Sequence, residues 1–261
     1  MPSTLRRELD FAIETAHLAG RLTLGFFQTG LVPDRKADDS PVTIADRKAE
    51  ELIRARIERA YPSHAILGEE FGETDSKDAT HRWIIDPIDG TKAFVHGVPL
   101  YAVLLGLEMD GTVEVGVAHF PALGGMLAAA TGLGCRWNGR PVHVSDIAEM
   151  RHATVCFSDA ATFAKFGRAE AWERIQRTAS ICAGWGDAYG HALVATGRAE
   201  IMLDPIMNAW DCGPFPPILK EAGGTFTDWS GEETIHAEEA ISTNGRLLPK
   251  LLEVIRNEPT V

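Results

Sequence analysis

Several common chemistries lack their raw material in this chain. Its 261 residues contain four cysteines, Cys135, Cys156, Cys182 and Cys212, and no two form a C-x-x-C pair. That spacing excludes a zinc-ligand set or a disulfide framework and leaves scattered reduced thiols. None of the nine histidines forms an H-x-x-x-H pair, so the helical zinc-hydrolase pattern is missing. No cysteine has a histidine in a recognisable nucleophile setting. Gly184-Trp185-Gly186 is glycine-rich but lacks the Lys-Ser/Thr of a phosphate-binding P-loop. Positive charge is scarce: 25 basic against 37 acidic residues give a net charge of −12. Nonspecific nucleic-acid binding needs the opposite balance, so no nucleic-acid partner is expected. Surface solubility alone accounts for the acidity, although a cation site would also suit it. No apolar run approaches the roughly 18 residues of a membrane span, so no membrane partner is expected either. Arg6 and Arg7 are followed by acidic Glu8 and Asp10 with no apolar block, so no secretory signal is read and the expectation is a cytoplasmic protein.

What is present is an ordinary globular pattern, with 45% hydrophobic residues and enough length for one large domain or two sharing a core. Leu5, Leu9, Ala12, Ile13, Ala16, Ala19 and Leu22 recur at helical spacing and predict a helix over residues 5–27. A second helix is predicted over residues 43–60, capped by Thr43, with Leu52, Ile53 and Ile57 on its apolar side. Strands follow at residues 65–67, 82–85, 101–108 and 112–119, the last two joined by Met109-Asp110-Gly111. Beyond about residue 140, short strands alternate with helices over residues 168–178, 189–195, 210–222 and 247–256. There is no repeat or low-complexity linker. We read an α/β (α+β) chain with mixed sheets in two closely packed portions, residues 1–138 and 139–261.

Asp86-Pro87-Ile88-Asp89-Gly90-Thr91 is the most informative stretch. It follows the apolar run Trp83-Ile84-Ile85 and combines two carboxylates, a carbonyl between them and a hydroxyl. Hard divalent cations take oxygen ligands of this kind, and Mg²⁺ is held by one or two carboxylates with waters and phosphate. Other acids stand at element boundaries: Asp38, Asp39, Asp46, Glu69, Glu70 and Asp211. Taken singly, Asp46 and Asp211 read equally as surface charges or helix caps. Glu69 and Asp86 each follow a short apolar strand, where a surface charge is less expected. Like charges gathered together would need a cation. A helix beginning at Lys92-Ala93-Phe94-Val95 would present its N-terminus to an anion, placing phosphate between it and the metals. Thr91 is then a candidate to orient an attacking water, with Glu69 or Asp46 accepting its proton; taken alone it reads rather as a helix cap.

These motifs together resemble the inositol monophosphatase-like superfamily of metal-dependent phosphatases. The markers are Gly68-Glu69-Glu70, Trp83 through Thr91, Trp210-Asp211 and Glu221-Ala222-Gly223-Gly224, and the likeness spans nearly the whole chain. The resemblance implies a layered αβαβα sandwich, usually dimeric and Mg²⁺-dependent. It implies that Glu69, Asp86 and the Ile88 carbonyl bind a first metal and that Asp86, Asp89 and Asp211 bind a second. Gly90 and Thr91 would contact phosphate, and Thr91 with Glu69 would activate water. Lys36, Asp39 and Asp46 resemble a mobile-loop segment that completes the site and serves a third metal; Asp38 competes with Asp39 for that role. The implied mechanism is direct in-line attack of metal-activated water on phosphorus, without a phosphoenzyme.

Substrate choice falls to a later segment. Gly186-Asp187-Ala188-Tyr189-Gly190 and Asp204-Pro205-Ile206-Met207-Asn208-Ala209-Trp210-Asp211 look like the histidinol-phosphatase branch, whose reaction belongs to histidine biosynthesis. Asp187, Ala188, Asp204 and Asn208 are the candidate substrate residues. Carboxylates at Asp187 and Asp204 could pair with the substrate's ammonium or imidazole, and Asn208 could hydrogen-bond the ring. Asp187 reads alternatively as a helix cap, and Asp204 before Pro205 as a turn residue. Inositol or another sugar or nucleotide monophosphate is the alternative substrate, and a non-catalytic regulatory member of the fold is the alternative class. Pro214, Pro216 and Pro217 after Asp211 predict a shortened or distorted helix start.

Overall fold

The computed structural model describes residues 4–35, 41–74 and 80–257. Strands His81–Asp89, Ala102–Met109, Thr112–Phe120 and Gly125–Ala130 form an antiparallel meander at the centre of an eight-stranded sheet. Side chains alternate between its faces, as a two-residue period requires. Trp83, Ile85, Val103, Leu105, Leu107, Val115 and Val117 pack beneath helices Thr4–Leu24 and Ile44–Ala60. Ile84, Ala102, Leu104, Ala118 and Phe120 point to the opposite face. A register shift at Leu107/Glu108 changes the alternation, so Val113 joins the second set. The first helix buries Leu9, Ala12, Ala16 and Ala19 completely or nearly so, and this small-residue stripe lets it lie close to the sheet. Leu5, Ile13 and Leu22, expected on the same side, flank the stripe half-buried.

The second sheet has five strands in the order Ile181–Ala183, Thr154–Phe157, Ile201–Asp204, Ala240–Thr243 and Thr225–Thr227. The first three run parallel, and the last two are antiparallel additions. One face, with Val155, Ile201, Leu203 and Ile241, packs on helices Ala169–Thr178 and Leu248–Arg256. The other face, with Cys156, Met202 and Ala240, shares a core with helices Asp187–Ala195 and Phe215–Ala222 and with the first sheet. The layers therefore run helix, sheet, helix, sheet, helix, the αβαβα sandwich of mixed α/β class. Among the described residues no helix is long and apolar enough to cross a membrane.

The single helix expected over residues 210–222 is two helices, Ala209–Cys212 and Phe215–Ala222. The break falls at Gly213-Pro214, and Pro216 and Pro217 occupy the first turn of the second helix, where a missing N–H costs nothing. Packing explains the location. A β-carbon on Gly106 would lie 2.6 Å from the Gly213 carbonyl oxygen, and one on Gly116 would lie 2.0 Å from that of Pro214. Two sheet glycines thus open a channel that receives the interrupted backbone just after Asp211. Gly116→Ala should overpack this contact and cost about 3 kcal/mol of folding stability. Urea unfolding measures it, and an unchanged midpoint would contradict this packing.

Candidate active site

The site begins where parallel strands end. Ala65–Gly68 and His81–Asp89 are parallel neighbours, with Gly68 in register with Ile85. The next residues on each strand are Glu69 and Asp86, and the Glu69 N–H donates to the Ile85 carbonyl at 3.2 Å. The Glu69 loop is anchored by a residue that no local sequence signal marks. Glu50 is fully buried in the second helix and accepts the N–H groups of Glu70 at 2.7 Å and Phe71 at 3.2 Å. Arg54 Nε also donates to it at 2.7 Å. Gly68 permits this approach, because a β-carbon there would stand 2.0 Å from Glu50 Oε1.

Past Asp86 the strand pairing is irregular until Asp89, and the Ile88 N–H folds back onto Asp86 Oδ1 at 3.0 Å. Gly90 follows with φ of +76°, which turns the chain into the short helix Thr91–Val95. No side chain caps that helix; Thr91 Oγ1 instead donates to the Ile88 carbonyl at 3.1 Å and lies 3.4 Å from Asp46 Oδ1. Asp46 and Asp211 share one construction. Each is the third residue of a helix and closes a capping box, accepting the cap residue's N–H through Oδ2: Thr43 at 2.8 Å and Asn208 at 2.7 Å. The cap holds one carboxylate oxygen and fixes the direction of the other. For Asp46 that other oxygen is the one facing Thr91. Asn208 also directs its side-chain amide to Asp211 Oδ2, at 3.3 Å, so it orients this carboxylate.

Oxygen atoms of Asp86, Asp89 and Asp211 all lie within 4.8 Å of one another. At that range each pair of charges repels by about 3.5 kcal/mol with an effective dielectric near 20. Burial and then the charges of Glu69, Asp89 and Asp211 push the Asp86 carboxyl well above the usual range. Burial, with Asp187 and Asp211, does the same to Asp89. Asp211 rises to about 6 through burial, offset by its bonds from Asn208. Asp46 also rises to about 6, again chiefly through burial. Carboxylates packed together are a donor set for a hard divalent cation, whose charge would remove the repulsion.

Beyond the cluster, Asp89 Oδ2 accepts the Ala188 N–H at 2.8 Å, tying it to the first turn of helix Asp187–Ala195. Asp187 itself caps nothing: Gly186 is the cap residue and Asp187 takes a φ of +54°. A β-carbon on Gly90 would lie 3.1 Å from Asp187 Oδ2, so this carboxylate stands against the turn that follows Asp89. Burial and the charge of Asp204 push Asp187 up to about 6. Asp204 is buried at the end of strand Ile201–Asp204 and is held by Ser158 and His191, neither of which the sequence pattern singles out. Lys36, Asp38 and Asp39 lie outside the described residues.

An acidic oxygen cluster at the ends of parallel strands in an αβαβα sandwich defines a class, and comparison agrees. Residues 5–260 match the Inositol monophosphatase family, and the chain belongs to that family; it is a phosphomonoesterase. Within it, a histidinol-phosphatase of Chlorobaculum parvum is 45% identical over 252 residues, covering 96% of this chain and 97% of that protein. A histidinol-phosphatase of Mycobacterium tuberculosis is 37% identical, covering 94% and 96%. The solved structure of an inositol monophosphatase from Anabaena (Nostoc) superposes with a TM-score of 0.87 at 28% identity, covering 98% of each chain.

Neutralising one carboxylate tests the repulsion directly. With divalent cations chelated, Asp89→Asn should be more stable than the wild type, on the order of 2 kcal/mol. With the cation restored the order should reverse. Urea unfolding in both conditions reads this, and a variant less stable in both would contradict it.

Proposed function

We propose that this phosphomonoesterase is a Mg²⁺-dependent histidinol-phosphatase, releasing L-histidinol and phosphate from L-histidinol phosphate in histidine biosynthesis. The observation that carries the substrate assignment is the acid pair Asp187 and Asp204. Two neighbouring carboxylates, half-buried Asp187 against the Gly90 turn and buried Asp204, favour a leaving group that brings positive charge. Histidinol has an ammonium group and an imidazole; inositol has hydroxyls only. The identity to histidinol-phosphatases supports the same choice.

Glu69, Asp86, the Ile88 carbonyl, Asp89 and Asp211 would hold two Mg²⁺ ions, with Asp46 and the segment of Lys36 and Asp39 available to a third. When bound, Mg²⁺ supplies an acidified water and charge neutralisation at phosphate. The protein's part is to hold and deprotonate. Thr91 Oγ1 lies 3.1 Å from the Ile88 carbonyl and 3.4 Å from Asp46 Oδ1; with its hydrogen turned to Asp46, its lone pairs accept a hydrogen bond from the water, and it takes the water's proton as it gives its own to Asp46. Glu69, beside Asp86, is the second acceptor for the nucleophile's proton. Gly90 and Thr91 serve the phosphate, at a helix start that no side chain caps. Asn208 acts on the leaving group from the position where it also orients Asp211. Ala188 contributes at the substrate side while its N–H fixes Asp89. The working unit in this reading is a homodimer, consistent with exposed Ile181 and Trp185 at the edge of the second sheet.

A substrate panel with Mg²⁺ tests the assignment. Histidinol phosphate should be turned over with much higher kcat/KM than inositol 1-phosphate; the reverse order would overturn it. Asp187→Ala should raise KM for histidinol phosphate about tenfold, the worth of one charge-assisted hydrogen bond, and leave KM for a neutral phosphate ester nearly unchanged. Equal effects on both would remove Asp187 from cation recognition.

A further inference from the structure

Beneath the acid pair runs a continuous chain of hydrogen bonds. Ser242 Oγ lies 2.7 Å from His191 Nδ1, and His191 Nε2 lies 3.2 Å from Asp204 Oδ2. On the other side of the same carboxylate, Ser158 Oγ donates to Asp204 Oδ1 at 2.6 Å and accepts the Asp187 N–H at 2.8 Å. One arrangement satisfies every partner: the Ser242 hydroxyl donates to Nδ1, and Nε2–H donates to Asp204. Both oxygens of Asp204 are thus engaged, and its direction is set. Ser, His and Asp in contact suggest a nucleophilic triad, but Ser242 and His191 are both fully buried, so no substrate can reach that hydroxyl.

The chain is rigid at each link. The His191 ring stacks on Phe215 with centroids 4.6 Å apart and packs on Phe226 at 5.8 Å. Ser158 and Asp204 lie at the same ends of adjacent parallel strands, where Phe157 is in register with Leu203. Gly186 fits so closely over Ser158 that a β-carbon would meet the Ser158 Cα at 2.2 Å. Asp187 then takes a left-handed φ of +54°, a conformation that few non-glycine residues adopt. The Ser158 hydroxyl on its N–H is a bond that helps hold it there.

We propose that Ser158, His191 and Ser242 are positioning residues that set leaving-group specificity. They hold the buried Asp204 charge beside Asp187 and fix the Asp187 backbone, so that the partly exposed Asp187 carboxylate meets the cationic part of the substrate with the second charge reinforcing it. The proposal rests on the reading of Asp187 and Asp204 as the cation-recognising pair. It adds a prediction that pair alone does not make, because specificity should respond to residues that touch no substrate.

The readout is the ratio of kcat/KM for histidinol phosphate to that for 4-nitrophenyl phosphate, measured with Mg²⁺. Ser158→Ala should lower this ratio about tenfold, mainly through KM for histidinol phosphate, as expected when a charged acceptor loses one donor. In an Asp204→Asn background the same substitution should lower it much less, since coupled residues are not additive. His191→Phe, which keeps a stacking ring and deletes both hydrogen bonds, should act in the same direction. If that variant does not fold, Ser158→Ala, which deletes only a hydroxyl, decides the matter. A wild type that prefers histidinol phosphate while Ser158→Ala leaves the ratio unchanged would overturn the positioning role alone. A wild type without that preference would overturn the substrate reading and the positioning role together.

Discussion

Asp86, Asp89 and Asp211 press like charges together, the first two buried and the third half-buried, with oxygens within 4.8 Å. Nothing in the folding of the chain gains from that arrangement, and burial alone makes each charge costly. Such a cluster persists because the surrounding elements hold it, and it becomes favourable only when a cation enters. Much of the architecture near the site serves that restraint. The Ala188 amide grips Asp89, Asn208 grips Asp211, and the Ile88 amide grips Asp86. Each restraint holds one oxygen of its carboxylate.

Both sheets deliver their acids by the same means. In the first, the parallel pair Ala65–Gly68 and His81–Asp89 ends in Glu69 and Asp86. In the second, the parallel pair Thr154–Phe157 and Ile201–Asp204 ends in Ser158 and Asp204. Ligands in α/β proteins gather at the carboxyl ends of parallel strands, and here two sheets contribute one such end each. The helix layer between the sheets supplies Asp187, Ala188 and Asp211. Cation cluster and acid pair are thus neighbours because their layers are neighbours.

The hexapeptide Asp86 to Thr91 was legible because its chemistry is local: oxygen ligands, a turn glycine and a hydroxyl after an apolar strand. Glu69 stood out because it too follows a short apolar strand, whereas Asp211 entered the metal set only through resemblance. The layer order could not be read from periodicity, which identifies elements but not their stacking, and came from resemblance. Glu50, Ser158 and His191 escaped notice because the partners that give them a role at the site, Glu70 for the first and Asp204 for the other two, lie 20, 46 and 13 positions away, and no spacing rule joins those pairs. Asp46 and Asp211 posed a choice between cap and site residue that the structure dissolves, since one oxygen caps and leaves the other to the site. The prolines after Asp211 foretold a disturbed helix. Its exact break needed Gly106 and Gly116, about a hundred positions earlier, to be seen beneath it.

Anomalous diffraction from crystals grown with Mn²⁺, which accepts the same oxygen ligands as Mg²⁺, addresses the centre most directly. Peaks should appear between Asp86, Asp89 and Asp211, with one also contacted by Glu69 and the Ile88 carbonyl. A folded protein showing no peak among these carboxylates at saturating Mn²⁺ would contradict a metal-dependent phosphatase site.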